Sequence, residues 1–160
     1  MLKHRNQDGV FVVDGVLDEE SPPILTELAA VIGSTPRLRI DTGGIRRVNS
    51  LGVRAWVDFM KHLHTEVHGR QVSFLRCSPS FVDQLNTVVD FRGGAAVESF
   101  LAPYVCESSG NVFYEELTVG KDVRKGSDYG VLARRPCNEC PEPLVFDDLP
   151  ERYLHFLSFL

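Results

Sequence analysis

Residues 38–53 constrain the fold more than any other stretch. Leu38-Arg39-Ile40 reads as a buried strand, Gly43-Gly44 as a turn, and Ser50 sits in the first turn of a helix. That helix has the clearest pattern in the chain. Val53, Trp56, Val57, Met60, Leu63 and Val67 form one apolar stripe, with Arg54, Asp58, Lys61 and His62 largely off it and Gly69 as a stop. A hydroxyl at such a helix start is either a cap or a phosphate acceptor, and the two uses lead to different functions.

Strand and helix patterns alternate on both sides of this stretch. Val10-Phe11-Val12-Val13 predicts a first strand and Asp14-Gly15 the turn out of it. Ser21 before Pro22 opens a helix as cap, its apolar face formed by Ile24, Leu25, Leu28, Val31 and Ile32, and Gly33 closes it. Val72, Phe74 and Leu75 predict another strand, ending at Cys77. Ser78-Pro79 then opens a helix that turns Phe81, Val82, Leu85 and Val88 inward. Gly93-Gly94 is a turn, and residues 95–101 are apolar without a clear assignment. Strands separated by helices need crossover connections, so the expectation is an α/β fold with a mostly parallel or mixed sheet, the N-terminal strand pairing antiparallel at one side.

After Pro103 the texture changes. Residues 112–114 and 117–119 predict short strands, residues 121–129 a polar loop, and Cys137-Asn138-Glu139-Cys140-Pro141 a tight knuckle. Residues 146–149 lead to a last helix with Tyr153, Phe156, Leu157 and Leu160 on one face. So short and apolar a helix must dock, either on its own chain or on a second copy as a homodimer. The organisation expected is one unit over residues 1–102 and a small β-rich extension over 103–160.

Composition narrows the classes of function. Hydrophobic residues make up 43% and charged residues 24%, the balance of an ordinary folded chain. No apolar run is long enough for a membrane span, and the first residues lack a secretory pattern, so the expected location is cytoplasmic. The net charge of -5, with no basic excess in either part, argues against nucleic acid as a partner. Arg46 and Arg47 beside the helix start read as a solvated turn or as anion contacts.

Residues 10–101 resemble a STAS domain, the fold of anti-sigma-factor antagonists and of the cytoplasmic tails of sulfate transporters. The resemblance is carried by Val13-Asp14-Gly15-Val16-Leu17-Asp18, by Ile40-Asp41 to Ile45, and above all by Val48-Asn49-Ser50-Leu51-Gly52-Val53. It implies a partner surface around the helix start, with Asp18, Asp41, Asn49, Ser50, Leu51 and Gly52 as its residues. It also implies phosphorylation of Ser50 by a serine kinase that restrains a sigma factor, with phosphate ending the binding. Asn49 stands where the family commonly has aspartate, and Leu51 where it usually has a small polar residue. Gly52 is expected to leave backbone amides approachable.

The cysteines suggest a second centre. Without an export signal a disulfide framework is not expected, and three of the four cysteines cluster late in the chain. They resemble a degenerate zinc ribbon. Cys137-x-x-Cys140 is a complete knuckle, while the first knuckle reads Cys106-Glu107-Ser108-Ser109-Gly110, with serine in the second ligand place. Cys106, Cys137 and Cys140 are therefore candidate zinc ligands, with water or His155 as the fourth. The alternative is a hairpin that stands on packing without metal. His64 and His68, four apart, read as a solvated helix face, and Cys77 as a buried small hydrophobe. Gly43-Gly44 lacks the ending of a phosphate loop, and no nucleophile elbow or dinucleotide fingerprint is found. The expectation is a regulatory protein-binding module and not an enzyme, with no cofactor beyond a candidate zinc. A self-assembling structural scaffold is the alternative.

Overall fold

The chain begins with a hairpin that its polar N-terminus does not advertise. In the computed structural model, which describes residues 1–126, 132 and 134–160, β1 (Lys3–Gln7) runs antiparallel to β2 (Val10–Leu17). Asp8 and Gly9 have φ of 51° and 84°, the positive values that a two-residue primed turn demands. The first strand is thus Lys3–Gln7, ahead of the one expected at Val10. Asp14-Gly15 is not a turn: β2 continues through both residues to Leu17, with irregular register on either side of them.

Then follow α1 (Ser21–Ile32), β3 (Arg37–Val48), α2 (Ser50–Glu66), β4 (Gln71–Leu75), α3 (Pro79–Thr87) and β5 (Ala96–Val97). The five strands lie in the order β1-β2-β3-β4-β5, antiparallel at β1 and parallel thereafter. This is the mixed α/β sheet expected. Because the order steps one way, right-handed crossovers put the three helices on one face. Leu38, Ile40 and Thr42 of β3 are buried on that side, while Arg37 and Arg39 are exposed on the other. The open face is polar, and Arg39 pairs there with Glu98 at 2.8 Å.

Gly43-Gly44 is not a turn either. β3 runs through it, and Asp14 of the neighbouring strand lies where a side chain on residue 44 would stand. The helix-side core centres on Trp56, whose ring packs against Phe59, Phe74, Phe81 and Phe91 at 5.2–5.9 Å between centroids. Its indole N–H donates to the Phe91 carbonyl at 3.1 Å, so the buried polar atom is satisfied.

β6 (Ser99–Val105) crosses the 102/103 position where the texture of the sequence changes. It is the central strand of a second, antiparallel sheet with β7 (Val112–Thr118) and β8 (Val145–Phe146). The two sheets are stitched at Cys77, which bridges to Phe100. The chain ends in α4 (Pro150–Tyr153) and a 3-10 turn over His155–Phe159.

This tail docks on its own chain. Asn86 of α3 donates through Nδ2 to the Tyr153 carbonyl at 3.0 Å and accepts the Phe156 amide at 2.6 Å. The Tyr153 hydroxyl donates to the Leu101 carbonyl at 2.6 Å, and Tyr153 and Phe156 both pack on Phe100. Asn86→Ala leaves two backbone groups of the tail unpaired. It is expected to cost about 1–3 kcal/mol, read as a lower urea midpoint with an unchanged slope.

Candidate functional site

The start of α2 is built on the end of β2. β2 and β3 are parallel with Leu17 beside Val48, so the chain leaving β3 passes directly over the Leu17 carbonyl. That carbonyl accepts the Asn49 amide at 3.0 Å. One turn on, Gly52 is buried, and any Cβ there would overlap the same Leu17 carbonyl. Glycine is therefore required by close approach, and its amide is not open to a partner as expected: Asn49 Oδ1 accepts it at 2.8 Å.

That bond also corrects the reading of Ser50 as a cap. The cap is Asn49, held in extended geometry with φ -102° and ψ 175°. Its Nδ2 donates to Glu19 Oε2 at 2.9 Å, which ties the α2 start to the β2–α1 turn. Ser50 is left exposed at the first helical position, and Leu51 beside it is 54% exposed. Asparagine and serine are equally good caps. What decides between them is where β3 ends, and sequence does not show that.

Asn49, Ser50, Leu51 and Gly52 come together with Asp18, which follows Leu17. Asp18 is half-buried, and its Oδ1 accepts the Glu20 amide at 3.1 Å and the Ser21 hydroxyl at 3.3 Å. Its carboxylate thus organises the turn into α1. Ser21 was expected to be the α1 cap. It lies instead inside the helix, buried, with its oxygen accepting the Asp18 amide at 2.9 Å. Asp41 is not part of this cluster. It stands seven residues before Val48 on an extended strand, about 20 Å away. There it accepts the Gly43 amide at 2.8 Å and faces Arg76 at 3.9 Å.

Glu19 is the site residue that the motifs do not signal. Its carboxyl is held below the usual range by a backbone amide, then by the Asn49 amide and by the Arg47 charge. The helix mouth is thus a serine and a leucine facing outward, with Asp18 and Glu19 on one flank.

The second cluster is the cysteines. Cys106 directly follows β6 and is buried, while Cys137 and Cys140 are half-buried on the opposite knuckle. Their three sulfurs lie within 4.8 Å of one another, and Cys106 Sγ is 3.4 Å from Cys140 Sγ. Four thiolates at 2.3 Å from a tetrahedral ion would be about 3.8 Å apart, so the three sulfurs fit one metal ion. The Glu139 amide points at Cys137 Sγ at 3.4 Å, which orients that sulfur. The Cys106 thiol is lowered to about 7, chiefly by the Ser109 hydroxyl and then by the Ser109 amide.

Ser109 occupies the place of the missing fourth thiol. Its hydroxyl donates to Glu139 Oε2 at 3.2 Å and accepts the Asn111 amide at 3.2 Å. His155 is not brought to the cluster. It packs edge-on against Phe159 at 4.9 Å and lines a different region, beside α3. Among the described residues the cluster contains cysteines alone. Cys77 stands apart, fully buried, with its thiol pushed up to about 12 by desolvation. His68 is exposed and His64 half-buried, and neither joins a metal grouping among the described residues.

A cleft of about 770 Å³ opens between α3 and residues 147–155, walled by Asp83, Asn86, Asp148 and Glu151 with Tyr114 at its side. Its walls come from distant parts of the chain, so no local motif announces it. Among the described residues no helix is long and apolar enough to cross a membrane. Compared with known protein families and with curated proteins, the chain matches none.

The seating of α2 gives an ordered set of stabilities. Ser50→Ala is expected to stay within about 0.5 kcal/mol of the parent, since no cap is lost. Asn49→Ala should cost about 1 kcal/mol, and Gly52→Ala about 3 kcal/mol or more because backbone must move. Urea unfolding of the three variants checks the order; a Ser50→Ala cost equal to that of Asn49→Ala would contradict it.

Proposed function

We propose that this chain is a regulatory protein-binding module whose contact face is the start of α2, switched by phosphate on Ser50. The observation that carries the reading is the pairing of an exposed Ser50 with an exposed Leu51 on a helix start fixed from beneath by Asn49 and Gly52. A rigid apolar side chain beside a modifiable hydroxyl is what such a switch needs. Leu51 supplies contact area, and a phosphate next to it supplies roughly -1.5 to -2 charges. The helix dipole and its free amides stabilise that charge, so the module stays folded when modified. Glu19 and Asp18 already make the flank acidic, so phosphate deepens a negative field that a partner must then tolerate.

The resemblance to anti-sigma-factor antagonists points to the same residues and names the partner class, an ATP-dependent serine kinase that restrains a sigma factor. In this reading the chain works by binding and catalyses nothing. Zinc is the ion proposed for Cys106, Cys137 and Cys140, because thiolates select a soft divalent ion and the site would tie β6 to the knuckle.

Co-purification from the native host is expected to recover a kinase of this class. Incubation of the chain with that kinase and ATP should add one phosphate to the intact mass, absent in Ser50→Ala. Phosphate, and separately Leu51→Asp, should weaken kinase capture by on the order of tenfold to a hundredfold. An unmodified mass while ATP is consumed would reject the switch, and undiminished capture of Leu51→Asp would reject the face. Recovery of further copies of this chain alone would favour a self-assembling scaffold.

A further inference from the structure

Among the described residues the three-cysteine cluster has no fourth metal-ligating side chain, and its rim is exposed. Cys106 forms the buried base, whereas residues 107–111 and 138–139 around the rim are all exposed. Ser109 stands at the fourth corner, but its single hydrogen is shared between Glu139 and the Cys106 sulfur, and its oxygen takes the Asn111 amide. Asn111 Nδ2 also donates to Glu139 Oε2 at 2.9 Å, so the carboxylate is tethered by two side chains of the opposite turn. A neutral hydroxyl so engaged is a poor donor to a metal, and His155 lies elsewhere.

We infer that the metal ion held by Cys106, Cys137 and Cys140 keeps an exchangeable fourth position at Ser109, which takes a neutral nitrogen donor of the imidazole type from outside the chain. The charge balance selects that class. A divalent ion with three thiolates carries one net negative charge, and the Glu139 carboxylate beside the rim adds another. An anion arriving from solution, with no chain to hold it in place, meets that repulsion, and a neutral donor does not. The centre thus differs from a closed structural site, in which four protein ligands shut out any fifth group. The inference rests on the reading that these cysteines hold metal.

Cobalt(II) reports coordination directly through its visible bands. One equivalent added to the reduced full chain should give a tetrahedral, thiolate-rich spectrum. Millimolar imidazole should shift those bands saturably. Ser109→Ala should bind cobalt and respond like the parent, because the hydroxyl is not a ligand. Ser109→Cys should bind cobalt at least tenfold more tightly and show no response to imidazole, its fourth corner being filled. Absence of cobalt binding in the parent overturns the metal reading and this inference together. Binding with no imidazole response overturns the inference alone, as does loss of cobalt in Ser109→Ala or an undiminished response in Ser109→Cys.

Discussion

The Leu17 carbonyl is the fulcrum of the molecule. It accepts the amide of Asn49 and lies against the backbone of Gly52, so β2 and α2 touch with nothing between them. Because that contact is backbone to backbone, it fixes the height and direction of the helix better than interdigitated side chains could. One turn further along, the same helix delivers Trp56 into the aromatic core between Phe59, Phe74, Phe81 and Phe91. The outward display of Ser50 and Leu51 and the inward burial of Trp56 are two consequences of one seat. A larger residue at 52 would tilt the helix and change both.

The two ends of the helix layer are treated differently. α1 and α2 both begin at the carboxyl ends of parallel strands, where open α/β folds commonly place their contacts. Their other ends are locked by Arg70, which is buried and lies at 4% exposure. Its guanidinium donates to the Thr35 and Leu63 carbonyls at 2.9 Å each and to the Gly33 carbonyl. Those carbonyls lie at or just beyond the ends of α1 and α2, where the dipoles concentrate negative charge. Burial lowers the pKa of this arginine, and three acceptors compensate its desolvation. The far ends are closed by a buried cation, and the contact face proposed for this chain lies at the near ends.

The sequence made the helices legible and the glycine-bearing strands much less so. The stripe from Val53 to Leu63 and the Ser78-Pro79 cap translate directly into α2 and α3, because helix periodicity and capping are local properties. Asp14-Gly15 and Gly43-Gly44 look like turns because glycine usually marks one. Here the reason for glycine is a neighbour: Asp14 fills the space over Gly44 in the adjacent strand, and no local pattern carries that information. β1 was hidden by its polarity, since an edge strand with one neighbour buries little. Among the site residues, the resemblance to a degenerate zinc ribbon drew Cys106 and the Cys137–Cys140 knuckle together, and the structure brings their sulfurs within 4.8 Å. The resemblance could not foresee that the tail folds back onto Asn86 and carries His155 away from them.

That return of the tail also explains why two clusters of different character share one core. β6 has one end bridged to Cys77 of the first sheet and the other end at Cys106 of the thiol cluster. Phe100, near its start, is covered by Tyr153 and Phe156 from the tail. Removing the tail would open the strand on which Cys106 is mounted, so the extension cannot be cut away from the sheet without exposing its core. The helix mouth is held by backbone contact with β2, and the thiol cluster by a strand that the tail protects. α3 joins the two supports, since its Phe81 packs on Trp56 of α2 and its Asn86 holds the tail that covers β6.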